Sequence, residues 1–101
     1  MQDEGNFEWD RDKAVANWQK HGVSFEEAVG AFRDPFAIEI IDDRVDYGEE
    51  RINLIAIYNG VILHVTYTER SDRIRLISAR RATKYERNEY YRQNAQGRDG
   101  G

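Results

Sequence analysis

Five arginines between Arg70 and Arg81 are the residues in this chain best suited to chemistry. Arg73 and Arg75 alternate along a β-rich segment. Arg70 precedes a turn signal, and Arg80-Arg81 close the run. A guanidinium offers a rigid fork of donors that fits a phosphate bidentately, so such a cluster suits phosphate binding and charge stabilisation. The competing reading is cross-strand pairing with Glu49, Glu50 and Glu69. A second candidate is Lys20-His21-Gly22. It can be a plain helix ending, with cations at the negative end of the dipole and glycine at the cap. It can equally place an ammonium and an imidazole together, where they bind a phosphate or move a proton near neutral pH. His64, the other histidine, reads as a structural or binding side chain and not as a catalyst.

Charge distribution supports an anionic partner. The formal net charge is −4, but residues 1–69 hold 6 basic against 15 acidic residues, and residues 70–92 hold 8 basic against 3 acidic ones. An asymmetry of this kind points to a polyanion or an oppositely charged protein. Cysteine is absent, which excludes disulfides and thiolate metal sites. The acidic loop D-D-R-V-D-Y-G-E-E from Asp42 does not fit an EF-hand. No metal site and no cofactor is expected. No apolar run is long enough to span a bilayer, so the expected compartment is the cytoplasm.

The elements that must position these residues follow from periodicity. At 101 residues the chain is one domain. Phe7-Glu8-Trp9 alternates like a short edge strand. Asp10 fits a helix N-cap, Ala14, Val15 and Trp18 form an apolar stripe, and Gly22 ends the helix. Ser24 and Glu27 make a capping box, and Phe25, Ala28, Val29 and Phe32 share a helix face that Asp34-Pro35 terminates. Strands are expected at residues 36–41, 51–58, from 61, and 73–80. Asn59-Gly60 predicts a two-residue type I′ turn, which sets Tyr58 opposite Val61 and Ile52 opposite Tyr67. Continuing across a turn near Arg70-Ser71, an even-length loop sets Tyr67 opposite Ile74 and Val65 opposite Leu76. The reverse face is mixed, and its isoleucines suggest cover by a last helix from Thr83 to Arg92, started by the Thr83/Glu86 capping box and loosely packed. The fold class is therefore α+β: two N-terminal helices, a four-stranded mainly antiparallel sheet and a C-terminal helix. Residues 1–92 form the domain, and residues 93–101 are expected to be a disordered tail.

Six runs in order give the chain a family resemblance: F-E-W-D from Phe7, K-H-G-V-S-F-E-E-A from Lys20, D-D-R from Asp42, G-E-E-R from Gly48, Y-T-E-R from Tyr67 and I-R-L-I-S-A-R-R-A-T from Ile74. Together they resemble the BrnT family, toxins of bacterial type II toxin–antitoxin systems. That resemblance implies a RelE-like fold and a metal-independent endoribonuclease that blocks translation. It also implies a BrnA-type ribbon-helix-helix antitoxin, which forms a hetero-oligomer with the toxin and carries the contacts to operator DNA. On this reading Arg70, Arg80 and Arg81 bind the scissile phosphate and stabilise its charge. Lys20 and His21 are candidates for proton transfer or further phosphate contact, and Glu69 for a base. Arg73, Arg75 and Lys84 would contact the flanking RNA backbone. A non-enzymatic module that binds nucleic acid or protein through the same basic surface is the alternative.

Overall fold

The computed structural model describes residues 2–42 and 48–99. Among these residues nine elements follow in chain order: β1 (Gln2–Glu4), β2 (Phe7–Trp9), α1 (Arg11–His21), α2 (Phe25–Ala31), β3 (Ile38–Asp42), β4 (Arg51–Tyr58), β5 (Val61–Arg70), β6 (Arg73–Arg81) and α3 (Lys84–Asp99). Most of the acidic loop after Asp42 lies outside the described residues.

The α+β class and the four expected strands are present, but the sheet has six strands in the order β1-β2-β6-β5-β4-β3. The two additional strands arise at the N-terminus. β2 runs parallel to β6, with Phe7 beside Ile74 and Glu8 beside Arg75, and β1 folds back antiparallel onto β2. The alternation of Phe7-Glu8-Trp9 does mark β2 as a strand; its parallel partner β6 lies more than sixty residues away and leaves no local signature, so the expected sheet counted four strands.

Local signals account for the helices. Asp10 Oδ1 accepts from the Asp12 N–H at 2.8 Å, and Gly22, left-handed at φ 67°, donates to Trp18 O at 2.8 Å. The Ser24/Glu27 box forms in both directions at 3.0 Å. Phe25, Ala28 and Val29 are buried in the main core with Trp9, Leu54, Val65, Tyr67 and Leu76, on the sheet face that α2 covers. Truncating one of its large members, such as Leu54→Ala, costs about 2–5 kcal/mol in cores of this kind. The stripe expected on α1 is a correction. Ala14 packs against the core, but Val15 and Trp18 are 51% and 56% exposed. The residue that α1 buries is Asn17.

Asn17 fixes α1 to the outer edge of β6. Its Nδ2 donates to Ala79 O at 2.8 Å and to Val23 O at 2.9 Å, and its Oδ1 accepts from the Ala79 N–H at 3.0 Å. One amide thus does for Ala79 what a neighbouring strand would do.

The hairpin register is as expected from Asn59-Gly60. Both residues have positive φ (51° and 81°), and Tyr58–Val61, Ala56–Leu63, Leu54–Val65 and Ile52–Tyr67 are paired. The next register differs. A two-residue turn at Ser71-Asp72 pairs Arg70 with Arg73, so Tyr67 opposes Leu76 and not Ile74. A bulge then intervenes: Thr66 opposes Ser78, leaving Ile77 as the extra residue, and Val65 opposes Ala79 and not Leu76.

On the reverse face, Ile55, Ile62, Ala82 and Tyr90 form a second core with Ile38 and Ile57. This is the helix cover that the isoleucines suggested. Thr83 and Glu86 make the expected capping box, with Glu86 accepting from the Thr83 N–H at 2.8 Å and its own N–H donating to Thr83 Oγ1 at 3.2 Å. α3 is tied down more firmly than its composition implied. The Tyr90 hydroxyl donates to Asp34 Oδ2 at 2.7 Å, the same oxygen that accepts from the Ile57 N–H at 2.8 Å. The helix also continues past Arg92 to Asp99, into the stretch expected to be disordered, and Asn94 Nδ2 donates to Phe36 O at 3.0 Å. Gly100 and Gly101 lie outside the described residues.

The Asn17 clamp generates the first prediction. Asn17→Ala leaves the buried Ala79 N–H and C=O and the Val23 carbonyl without their side-chain partner. Stability should fall by about 2–3 kcal/mol, from a desolvation cost of roughly 1–3 kcal/mol for an unsatisfied buried group. Urea unfolding reads this as a lower midpoint at constant slope; an unchanged midpoint would show that the edge needs no clamp.

Candidate active site

Strand alternation sorts the reverse face into rows across β4, β5 and β6. Ile57, Ile62 and Ala82 make the first row, beneath α3. Ile55, His64 and Arg80 form the second, Asn53, Thr66 and Ser78 the third, and Arg51, Thr68 and Arg75 the fourth. Arg70 and Arg73 end the series at the hairpin tip. The face therefore grades from apolar and covered to polar and cationic. The second row is the boundary.

At that boundary Glu86, from the first turn of α3, meets two side chains of the sheet. Arg80 Nη1 and Nη2 donate to its two carboxylate oxygens at 2.9 and 3.0 Å, a bidentate pair. The His64 imidazole lies with Nε2 3.7 Å from Glu86 Oε2. Burial alone would raise the Glu86 carboxyl. The Arg80 hydrogen bonds, the Thr83 N–H and the nearby charges of His64 and Arg80 outweigh it and hold the group at about 2. A fixed carboxylate here orients an imidazole and a guanidinium side by side on one sheet face. In the next row Thr66 Oγ1 donates to Asn53 Oδ1 at 2.9 Å, and both residues remain half-buried.

Arg70, Arg73 and Arg75, further along this face, are also tied to carboxylates. Arg73 Nε and Arg75 Nη1 donate to the two oxygens of Glu8 at 3.0 and 3.1 Å, and Arg73 Nη2 reaches Phe7 O at 3.2 Å. Glu8 comes from β2 and not from the acidic residues expected to pair with the strand, so these contacts also fasten β2 to β6. Arg70 does meet one of the expected partners, Glu49, at 3.3 Å. Lys84 is exposed at the start of α3.

The sequence-predicted residues do not converge on one point. His64 and Arg70 are six residues apart on β5, so Arg80 and Arg70 sit roughly 20 Å apart at ~3.3 Å per residue. One scissile phosphate cannot touch both. Arg81 pairs with Leu63 and Glu69 with Ile74, which puts both on the opposite sheet face from Arg80. Glu69 neighbours the buried Tyr67 there. Burial, followed by the charges of Glu39 and Glu69, pushes the Tyr67 hydroxyl well upward, so that it stays protonated. Lys20 and His21 occupy the end of α1, over the outer edge of β6. With Lys13, Ala16, Asn17, Ile77 and Ser78 they line a shallow cavity of about 280 Å³.

Sequence reasoning missed His64 and Glu86 as partners of Arg80. The hairpin register correctly set His64 beside Thr66, and the Thr83/Glu86 box correctly fixed Glu86. The unforeseen bulge at Ile77 is what turns Arg80 toward them. Among the described residues no group of three or more His, Cys, Asp or Glu side chains is placed to hold a metal ion. Among the same residues no helix is long and apolar enough to cross a membrane.

Fold and face together define a small α+β protein with a graded, cationic sheet surface suited to a polyanion. A family model for the ribonuclease toxin BrnT of type II toxin–antitoxin systems matches residues 9–86. The chain belongs to the BrnT family of ribonuclease toxins. No curated protein matches it.

Glu86 generates a pH prediction. Its carboxyl is depressed from 4.5 to about 2 in the folded chain, so its contribution to stability is complete above about pH 4.5 and is lost as pH falls towards 2. Glu86→Gln should flatten that part of the acid limb in a series of urea midpoints against pH. A variant whose midpoints fall as steeply as those of the parent below pH 4.5 would remove Glu86 from the account.

Proposed function

We propose that this chain is a metal-independent endoribonuclease toxin that cleaves RNA on the reverse face of its sheet and thereby blocks translation. The observation that carries this reading is the Arg80–Glu86–His64 group, set where α3 stops covering the sheet and the hydrogen-bonding row of Asn53, Thr66 and Ser78 begins. RNA cleavage of this type requires deprotonation of the 2′-OH, stabilisation of the phosphorane charge and protonation of the leaving 5′-oxygen. His64 is assigned to proton transfer, because imidazole ordinarily titrates near neutral pH. Arg80 stabilises charge on the phosphorane oxygens. Glu86 is a positioning residue that holds both. Thr66 and Asn53 are placed to bond a ribose or a base, and Arg73, Arg75 and Lys84 contact the flanking backbone, with Arg70 further along the same face.

This assignment moves the chemistry away from Glu69 and Arg81, which share the opposite face, and moves proton transfer from Lys20 and His21 to His64. The family relationship supports an antitoxin partner. We assign that role to a BrnA-type ribbon-helix-helix protein, which neutralises the toxin in a cytoplasmic hetero-oligomer and supplies the contacts to operator DNA.

The test is cleavage of single-stranded RNA in EDTA, with product ends analysed chemically. The expected products carry 2′,3′-cyclic phosphates. His64→Ala should lower the single-turnover rate by about 10²–10⁴, the usual range for general acid–base groups. Arg80→Ala should lower it by roughly 10²–10³, as for loss of a charge-stabilising donor. An activity abolished by EDTA would overturn the metal-free chemistry. Folded Ala variants at His64, Arg80, Arg70, Lys20 and His21 that all arrest growth as the parent does would favour the non-enzymatic binding module.

A further inference from the structure

Lys13, Lys20 and His21 project from one face of α1 onto the cavity that reaches Ile77 and Ser78 of β6. None of the three has an ion-pair partner among the described residues, whereas Arg70, Arg73, Arg75 and Arg80 all do. A concave site holding two ammonium groups and an imidazole, with no carboxylate in its lining, suits an anion. Its geometry is fixed: the buried Asn17 amide clamps the middle of α1 to Ala79 and holds the lysines over the β6 edge. That amide also occupies the outward N–H and C=O of Ala79, so an incoming peptide strand finds those groups taken. An acidic peptide added as a strand is the less suitable occupant.

Ser78 links this cavity to the reverse face. It lines the cavity and is also the cross-strand partner of Thr66, one strand spacing (~4.8 Å) away. The Ile77 bulge lies at the crossing point, where β2 no longer pairs with β6. A single strand that leaves the Asn53–Thr66–Ser78 row therefore has an open path over the edge and down onto α1.

We infer that the α1–β6 cavity is a second subsite for the RNA substrate, in which Lys13, Lys20 and His21 bind a backbone phosphate several nucleotides from the cleaved bond. This inference rests on the ribonuclease reading and extends it from a reaction centre to a bound length of strand. The subsite binds and does no chemistry, so its contribution grows with substrate length.

The test measures equilibrium binding of 2′-O-methyl oligoribonucleotides, which resist cleavage, by fluorescence anisotropy. The double variant Lys13→Ala/Lys20→Ala is compared with the parent on a 12-mer and a trimer. Urea midpoints check that both proteins are equally folded. The expected result is about tenfold weaker binding of the 12-mer with trimer binding unchanged. The log–log salt slope for the 12-mer should be shallower by about 0.7, the value for one phosphate contact on a single strand. Equal affinities for the 12-mer, or equal losses for both lengths, would overturn the subsite. A parent chain that cleaves no RNA, yet shows the length-dependent lysine effect, would overturn the ribonuclease reading and leave the cavity as a nucleic-acid site.

Discussion

One extra residue in β6 sets the arrangement on which the rest depends. Up to Leu76 the strand alternates in step with β5; at Ile77 it gains a residue, and the side chains beyond it change faces relative to a regular pairing. Ala79 thereby enters the main core, and Arg80 turns to the reverse face opposite His64. Had the strand stayed regular, Arg80 would share a face with Leu76, and Ala79 would stand opposite His64 in its place. The pairing of β2 with β6 stops at Arg75, so the edge beyond it has no strand neighbour, and the Asn17 amide bonds Ala79 there. The burial of Ala79 and the position of the charged group follow from this single irregularity.

The cationic character of the segment from Arg70 to Arg81 is real but largely internally compensated. Glu8 engages Arg73 and Arg75, Glu86 engages Arg80, and Glu49 engages Arg70. Partly exposed ion pairs of this kind contribute modestly to stability, commonly under about 1 kcal/mol each. Their larger consequence is orientation. A guanidinium held by a carboxylate has fewer rotamers to lose when a second anion arrives, and its remaining donors point in known directions. The acidic N-terminal part of the chain and its basic C-terminal part are thus one electrostatic unit, joined where β2 runs parallel to β6.

The α3 helix divides the reverse face by length. Tyr90 covers the end of the sheet that carries Ile55, Ile57, Ile62 and Ala82, and the hydrogen-bonding and cationic rows lie beyond it. Asp34 makes this division firm by accepting from both Tyr90 and the backbone of Ile57, so that the loop after α2 pins α3 to β4. Glu86 belongs to the same helix. Its place beside His64 therefore depends on contacts made by residues four and more positions further on.

Much of this was legible in the sequence because it is decided by neighbours in the chain. Capping residues set where the helices start, Gly22 stopped α1, and Asn59-Gly60 fixed the β4–β5 register because a two-residue turn with positive φ allows no slip. The isoleucines of β4 and β5 announced cover on the second face, and the ordered motifs announced the family. What only the tertiary structure decided concerns residues whose partners lie far away: Glu8 with Arg73 and Arg75, Asn17 with Ala79, Asp34 with Tyr90, and His64 with Glu86. No periodicity encodes a parallel pairing across more than sixty residues, and no propensity marks a bulge at Ile77. The sequence by itself determined which side chains were available for phosphate chemistry and what local elements carry them. Their division between two faces and an edge came from how β6 sits between its neighbours, since a shift of one residue in a strand exchanges every face beyond it.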